Sequence, residues 1–121
     1  MANLEGIGIQ TQKIELNSSS FDTFLEDLKP EIVLFDRFMM EEQFGWRVSE
    51  ICPDAVRILD TEDLHFLRKV RQEAFSKQEN IDSLLFKSDI AKREIASIYR
   101  CDLSLIISVE EIEILIQKFV R

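Results

Sequence analysis

The sequence predicts an α/β protein: a parallel, doubly wound sheet of about four strands with flanking helices, forming a single domain over residues 1–121. Three observations lead there. Apolar runs of strand length alternate along the chain with apolar stripes at helical spacing, the pattern of crossover connections between parallel strands. The run Ile32-Val33-Leu34-Phe35 is apolar at every position, as in a strand buried on both faces. Finally, Val56-Arg57-Ile58-Leu59 ends abruptly in Asp60-Thr61-Glu62-Asp63-Leu64-His65, which holds three carboxylates and the only histidine, just before a helical stripe begins. Ligands of open α/β sheets sit at the carboxyl ends of the strands, so this turn is the first place to look for function.

Residues 7–16 alternate, with Ile7, Ile9, Ile14 and Leu16 apolar among polar neighbours, and are expected to form a first strand near a sheet edge. After a polar turn over 17–20, Phe21, Phe24, Leu25 and Leu28 recur at i, i+3, i+4 and i+7, an amphipathic helix stopped by Lys29-Pro30. The run 32–35 is the second strand and closes on Asp36-Arg37. A helix over 41–51 follows, with Phe44, Val48 and Ile51 on one side, although Gly45 costs it about 1 kcal/mol relative to alanine. Pro53-Asp54 turn the chain into the central strand, 55–59. Residues 64–77 read as a helix with Leu64, Leu67 and Val70 apolar and Arg68, Lys69 and Arg71 on a basic side. A second helical stretch over 81–99 carries Ile81, Leu84, Leu85, Ala91, Ile95 and Ile98, with Ser88-Asp89 as a restart point. Residues 103–107 are the fourth strand. Ser108, with Glu111 three residues on, has the form of a capping box for a last helix whose inward stripe is Ile112, Leu115, Ile116 and Phe119.

Composition narrows the function. With 23 acidic and 15 basic residues the formal charge is −8, which opposes nucleic-acid binding, a process driven by neutralising phosphates with Lys and Arg. Cys52 and Cys101 stand apart, with no CxxC pair, and read as reduced, mostly buried thiols rather than zinc ligands or a disulfide. No apolar run approaches the roughly 18 residues that span a bilayer. The N-terminus has neither the basic start nor the apolar centre of a signal peptide. The expectation is therefore a cytoplasmic protein without a membrane span. Gly6, Gly8 and Gly45 build no GxGxxG and no GxxxxGK[ST] loop, and there is no GxSxG elbow. No cofactor and no metal are expected.

The strand ends bring Asp36, Arg37, Asp60, Glu62, Asp63 and Ser108 toward one edge if the strands are adjacent. Carboxylates there could hold a metal or sugar hydroxyls, or act as a base. The alternative is that Asp60 to Asp63 cap the next helix and complement its dipole. His65, one residue inside that helix, is a candidate hydrogen-bond donor to a ligand. Arg68 and Arg71 can hold an anion, or form a solvated face. Trp46 and Phe66 fit packing better than sugar stacking. No catalytic residue is assigned.

Three stretches resemble a known family. Pro30-Glu31-Ile32-Val33-Leu34-Phe35-Asp36-Arg37-Phe38-Met39 through Glu42-Gln43-Phe44-Gly45-Trp46-Arg47, and Arg57-Ile58-Leu59-Asp60-Thr61-Glu62-Asp63-Leu64-His65, look like the N-terminal domain of certain bacterial glycosyltransferases. Cys101-Asp102-Leu103-Ser104-Leu105-Ile106-Ile107-Ser108-Val109-Glu110-Glu111 is similar to the last strand and helix of that domain. The resemblance runs from about residue 7 to 116. These enzymes have the GT-B fold, two Rossmann-like domains facing across a cleft. The resemblance implies part of the acceptor side, with Asp60, Glu62, Asp63 and His65 lining the cleft and Asp36 and Arg37 at the neighbouring strand end. It implies that Ser108 and Glu111 hold the final helix. It places the family's opening strand and glycine loop before residue 1, and the nucleotide-sugar-binding domain after Arg121. On that basis the chain alone is expected to be inactive, its partner being a complementing glycosyltransferase domain or a second copy of itself.

Two other classes fit the pattern. One is a stand-alone regulatory module of receiver type, with Asp60 as phosphoacceptor. It lacks the paired acidic residues expected after the first strand, which ends in Leu16-Asn17, and the Lys expected after the last, which ends in Ser108-Val109. The other is an interaction module that uses the exposed first strand to pair with a partner or with itself.

Overall fold

The computed structural model describes residues 2–62, 64–77 and 88–119. The order is α1 (Ala2–Gly6), α2 (Ser20–Leu28), β1 (Ile32–Asp36), α3 (Phe38–Ile51), β2 (Val56–Asp60), α4 (His65–Lys77), α5 (Asp89–Arg100), β3 (Leu103–Leu105) and α6 (Val109–Phe119). The three strands form one parallel sheet in the order β1-β2-β3. It is an α/β fold with flanking helices, compatible with a Rossmann-like architecture.

Two expectations need correcting. The sheet has three strands among the described residues, and its order follows the chain, so it carries none of the reversal that defines a doubly wound sheet. The strand expected over 7–16 does not form. The amides of Ile7, Gly8 and Ile9 instead donate to the carbonyls of Leu4 and Glu5, closing off α1, and Gly8 has φ +89°, outside the β region. Of the four alternating residues only Ile14 packs against the core, while Ile7, Ile9 and Leu16 are exposed. Alternation creates a strand only when a neighbour completes the ladder, and here the donors of Ile7, Gly8 and Ile9 are spent locally.

The other elements form where their side chains find burial. Phe21 and Leu25 of α2, Phe44 and Val48 of α3, and Phe35 and Leu59 of the sheet make one core. Leu64, Phe66, Leu67 and Val70 at and within α4 join Ala91 of α5 in a second, to which Ile106, Ile114 and Leu115 add. Lys29, left-handed at φ 51°, ends α2 by donating its N–H to the Leu25 carbonyl. Of the helix expected over 81–99, α5 is the part that lies in the described residues, and Ser88 caps it, its Oγ accepting from the Ala91 N–H at 3.2 Å. Ile81, Leu84 and Leu85 lie outside them.

One face of the sheet carries these cores. The other keeps Ile32, Leu34, Val56, Leu103 and Leu105 in solvent. Each half-exposed Ile or Leu leaves roughly 1 kcal/mol of burial unrealised.

Candidate functional site

Parallel pairing fixes the geometry of the strand carboxyl ends. Asp36 and Asp60 are register partners, and Leu105 stands beside Asp60. The Arg37 N–H donates to the Asp60 carbonyl at 2.8 Å, carrying the ladder one step past the end of β1. Thr61 is buried and pins β2 to β3, its N–H and its Oγ1 both donating to the Leu105 carbonyl. That fixed frame holds two residues in unfavourable backbone conformations. Arg37 lies at φ 74°, ψ 159°, a region that glycine normally occupies, and Glu62 at φ 58°. Such conformations cost about 1–3 kcal/mol each and persist where surrounding structure over-determines them. The side chains of these two residues meet: Arg37 Nε donates to Glu62 Oε2 at 3.0 Å, with Asp36 Oδ1 3.7 Å from the same nitrogen. Asp60 Oδ1 accepts the Glu62 N–H at 3.1 Å and thereby shapes the turn.

The structure therefore brings together Asp36, Arg37, Asp60 and Glu62. Asp63 lies outside the described residues. His65 belongs to a different neighbourhood. Its Nδ1 is 3.5 Å from Oε2 of Glu94, a carboxylate of α5 with no exposed side-chain surface, and its ring meets the buried Phe38 edge-on. Glu94 Oε1 accepts the Phe66 N–H at 3.0 Å, satisfying a donor of the first turn of α4. Burial pushes the Glu94 carboxyl above its ordinary range, opposed by the Phe66 and His65 amides and the His65 ring.

Arg68 is not part of the strand-end cluster. It lines a groove of about 430 Å³ with Leu64, Leu67, Arg71, Phe75 and Glu111. Ser108 caps α6 as expected, accepting the Glu111 N–H at 3.1 Å, but the Glu111 carboxylate reaches out to accept the Leu64 N–H at 3.1 Å. It supports the start of α4 rather than closing the capping box. Phe66 is fully buried, whereas Trp46 is half exposed with the Arg47 guanidinium 4.4 Å above its ring, so it is not a core residue. The thiols of Cys52 and Cys101 are free and partly buried, and burial pushes Cys101 up to about 11, which keeps it protonated and unreactive near neutrality.

Two groups next to the site escaped the sequence reading, Glu94 and Glu41. Glu41 is 2% exposed, and its carboxylate takes Ser97 Oγ at 2.7 Å and Arg100 Nε at 3.1 Å, joining α3 to α5. A signal was present for both. Glu41 falls at i of the stripe completed by Phe44, Gly45 and Val48, and Glu94 at i+3 of the stripe Ala91, Glu94, Ile95, Ile98. A carboxylate within an apolar stripe is a buried polar group awaiting a partner.

No group of three or more His, Cys, Asp or Glu side chains among the described residues could hold a metal ion, and no described helix is long and apolar enough to cross a membrane. Comparison with protein-family models, curated proteins and solved structures finds no match to this chain.

Proposed function

We propose that the chain supplies part of the acceptor side of a sugar-transferring enzyme of GT-B type, and that its strand carboxyl ends hold acceptor hydroxyls. The observation that carries this reading is the register-matched pair Asp36 and Asp60, flanked by an Arg37–Glu62 contact between two residues of positive φ. Ionised carboxylates accept strong hydrogen bonds from hydroxyls, and a bound polyol can replace water on both at once. The positive-φ turns hold the neighbouring ion pair at the mouth of that edge. His65, whose ring lies against Phe38 and whose Nδ1 is 3.5 Å from the buried Glu94, stands apart from this edge. The resemblance of 30–47, 57–65 and 101–111 to glycosyltransferase N-terminal domains supplies the substrate class.

Stabilising a departing nucleoside diphosphate requires positioned donors, which the resemblance assigns to a separate domain. The chain by itself is accordingly expected to bind sugars weakly and transfer none. Amide chemical shifts followed while a panel of common mono- and disaccharides is added should move at Asp36, Arg37, Asp60 and Glu62. They should stop moving in the Asp36→Asn, Asp60→Asn double variant. Purified chain with nucleotide sugars should give no transfer above a heat-killed control. Shifts confined to other surfaces, or turnover by the chain alone, would sink the reading.

A further inference from the structure

The uncovered sheet face has a composition that specifies what should lie on it. Register sets Ile32 beside Val56, and Leu34 beside Ile58, which pairs in turn with Leu103; Leu105 closes the row. Ile32 is 62% exposed, Leu34 55%, Leu103 52%, Leu105 45% and Val56 43%, while Phe35 and Leu59 on the opposite face are 4% and 0% exposed. Strands apolar on both faces belong to sheets covered on both sides, and a continuous apolar patch on a soluble domain marks an interaction surface.

Charge selects the occupant. Asp36 and Asp60 end their strands on this same face, and its other strand residues, Ile32, Leu34, Val56, Ile58, Leu103 and Leu105, are uncharged. A second copy laid face to face with its strands parallel would set acid against acid, and in any orientation it brings together two chains of net charge −8. An anionic lipid surface is repelled for the same reason. Helices are the elements that cover parallel sheets, and a cationic helix complements the Asp36–Asp60 rim.

We infer that this face docks an amphipathic helix of a partner protein, its apolar stripe lying across Leu34, Ile58 and Leu103 and its Lys or Arg side chains over Asp36 and Asp60. The two readings share Asp36 and Asp60, and the serine changes at Leu34 and Leu103, which the sugar reading does not use, tell them apart.

The test uses two fluorescent helical peptides of roughly 18 residues, about 27 Å long, sharing one leucine stripe, with Lys at the polar positions of one and Glu in the other. The Lys peptide should bind the full chain at least about tenfold more tightly than the Glu peptide. Its affinity should fall about tenfold in a Leu34→Ser, Leu103→Ser variant. In Asp36→Asn, Asp60→Asn it should fall severalfold and lose most of its salt dependence. All four positions are at or near the surface, and circular dichroism checks that each variant is folded. Three results would overturn the inference: equal binding of the two peptides, Lys-peptide binding indifferent to the serine changes, or no binding by a folded monomer. A dimer dispersed by the serine changes would also overturn it, by naming a second copy as the occupant.

Discussion

Glu94 sits among Ala91, Ile95 and Ile98 with no exposed surface, yet it contacts the ring that the strand-end reading singled out. Its role is structural first, because it satisfies the Phe66 N–H at the start of α4. It is also a latent pH dependence. The folded state raises the carboxyl above its ordinary value of 4.5, so between that value and the native one the folded chain binds the proton that the unfolded chain releases. The contribution to stability is complete below the ordinary value and is withdrawn as pH rises through the native one. Glu94→Gln keeps an acceptor for Phe66 and has no proton to lose. Urea unfolding of both proteins at about pH 5 and pH 8 should show the variant gaining on the native protein at the higher pH. A difference that does not change with pH would mean that Glu94 titrates alike in the folded and unfolded states.

Within α3, Gly45 looks like a defect when the helix is considered alone. A Cβ there would run into the Glu41 carboxylate, which Ser97 and Arg100 hold from α5. Gly45→Ala should thus forgo the usual helical gain of about 1 kcal/mol and lower stability on balance by roughly 1 kcal/mol through overpacking. A raised melting temperature would show that Glu41 can yield at no cost. Between α4 and α6 the division of labour at the last capping site is equally testable. Ser108→Ala removes a cap worth about 0.5–2 kcal/mol and should speed hydrogen exchange in the first turn of α6. Glu111→Ala should instead speed exchange at Leu64, whose amide loses its acceptor. Identical exchange patterns for the two variants would refute that division.

Across the whole molecule, the two apolar cores are joined by Ile98, which packs against both. They are expected to unfold together. Far-ultraviolet circular dichroism and the fluorescence of Trp46, on α3 beside the first core, should report one midpoint in denaturant. Ile98→Ala should lower both signals in step, by roughly 1–3 kcal/mol for a partly buried side chain. Separated midpoints would mean that the cores are independent units. The uncovered sheet face tempers this cohesion, since the side chains there add to neither core.

By itself the sequence determined the elements whose signals are local. The stripe at 21–28, the run at 32–35, the strand ending at the acidic turn and the Ser108 cap all sit where their spacing put them, within a residue or three. Periodicity reports which side chains can share a face, and burial obliges when a partner face exists. Tertiary structure decided everything that depends on a partner from elsewhere in the chain. Residues 7–16 had the alternation of a strand but no ladder to join. The apolar runs implied a sheet covered twice, and among the described residues only one side is covered. His65 was placed near the Asp60–Asp63 turn by sequence proximity, yet its carboxylate comes from Glu94 of α5. The pairing of Arg37 with Glu62 likewise follows from parallel register, a long-range property that no local pattern encodes.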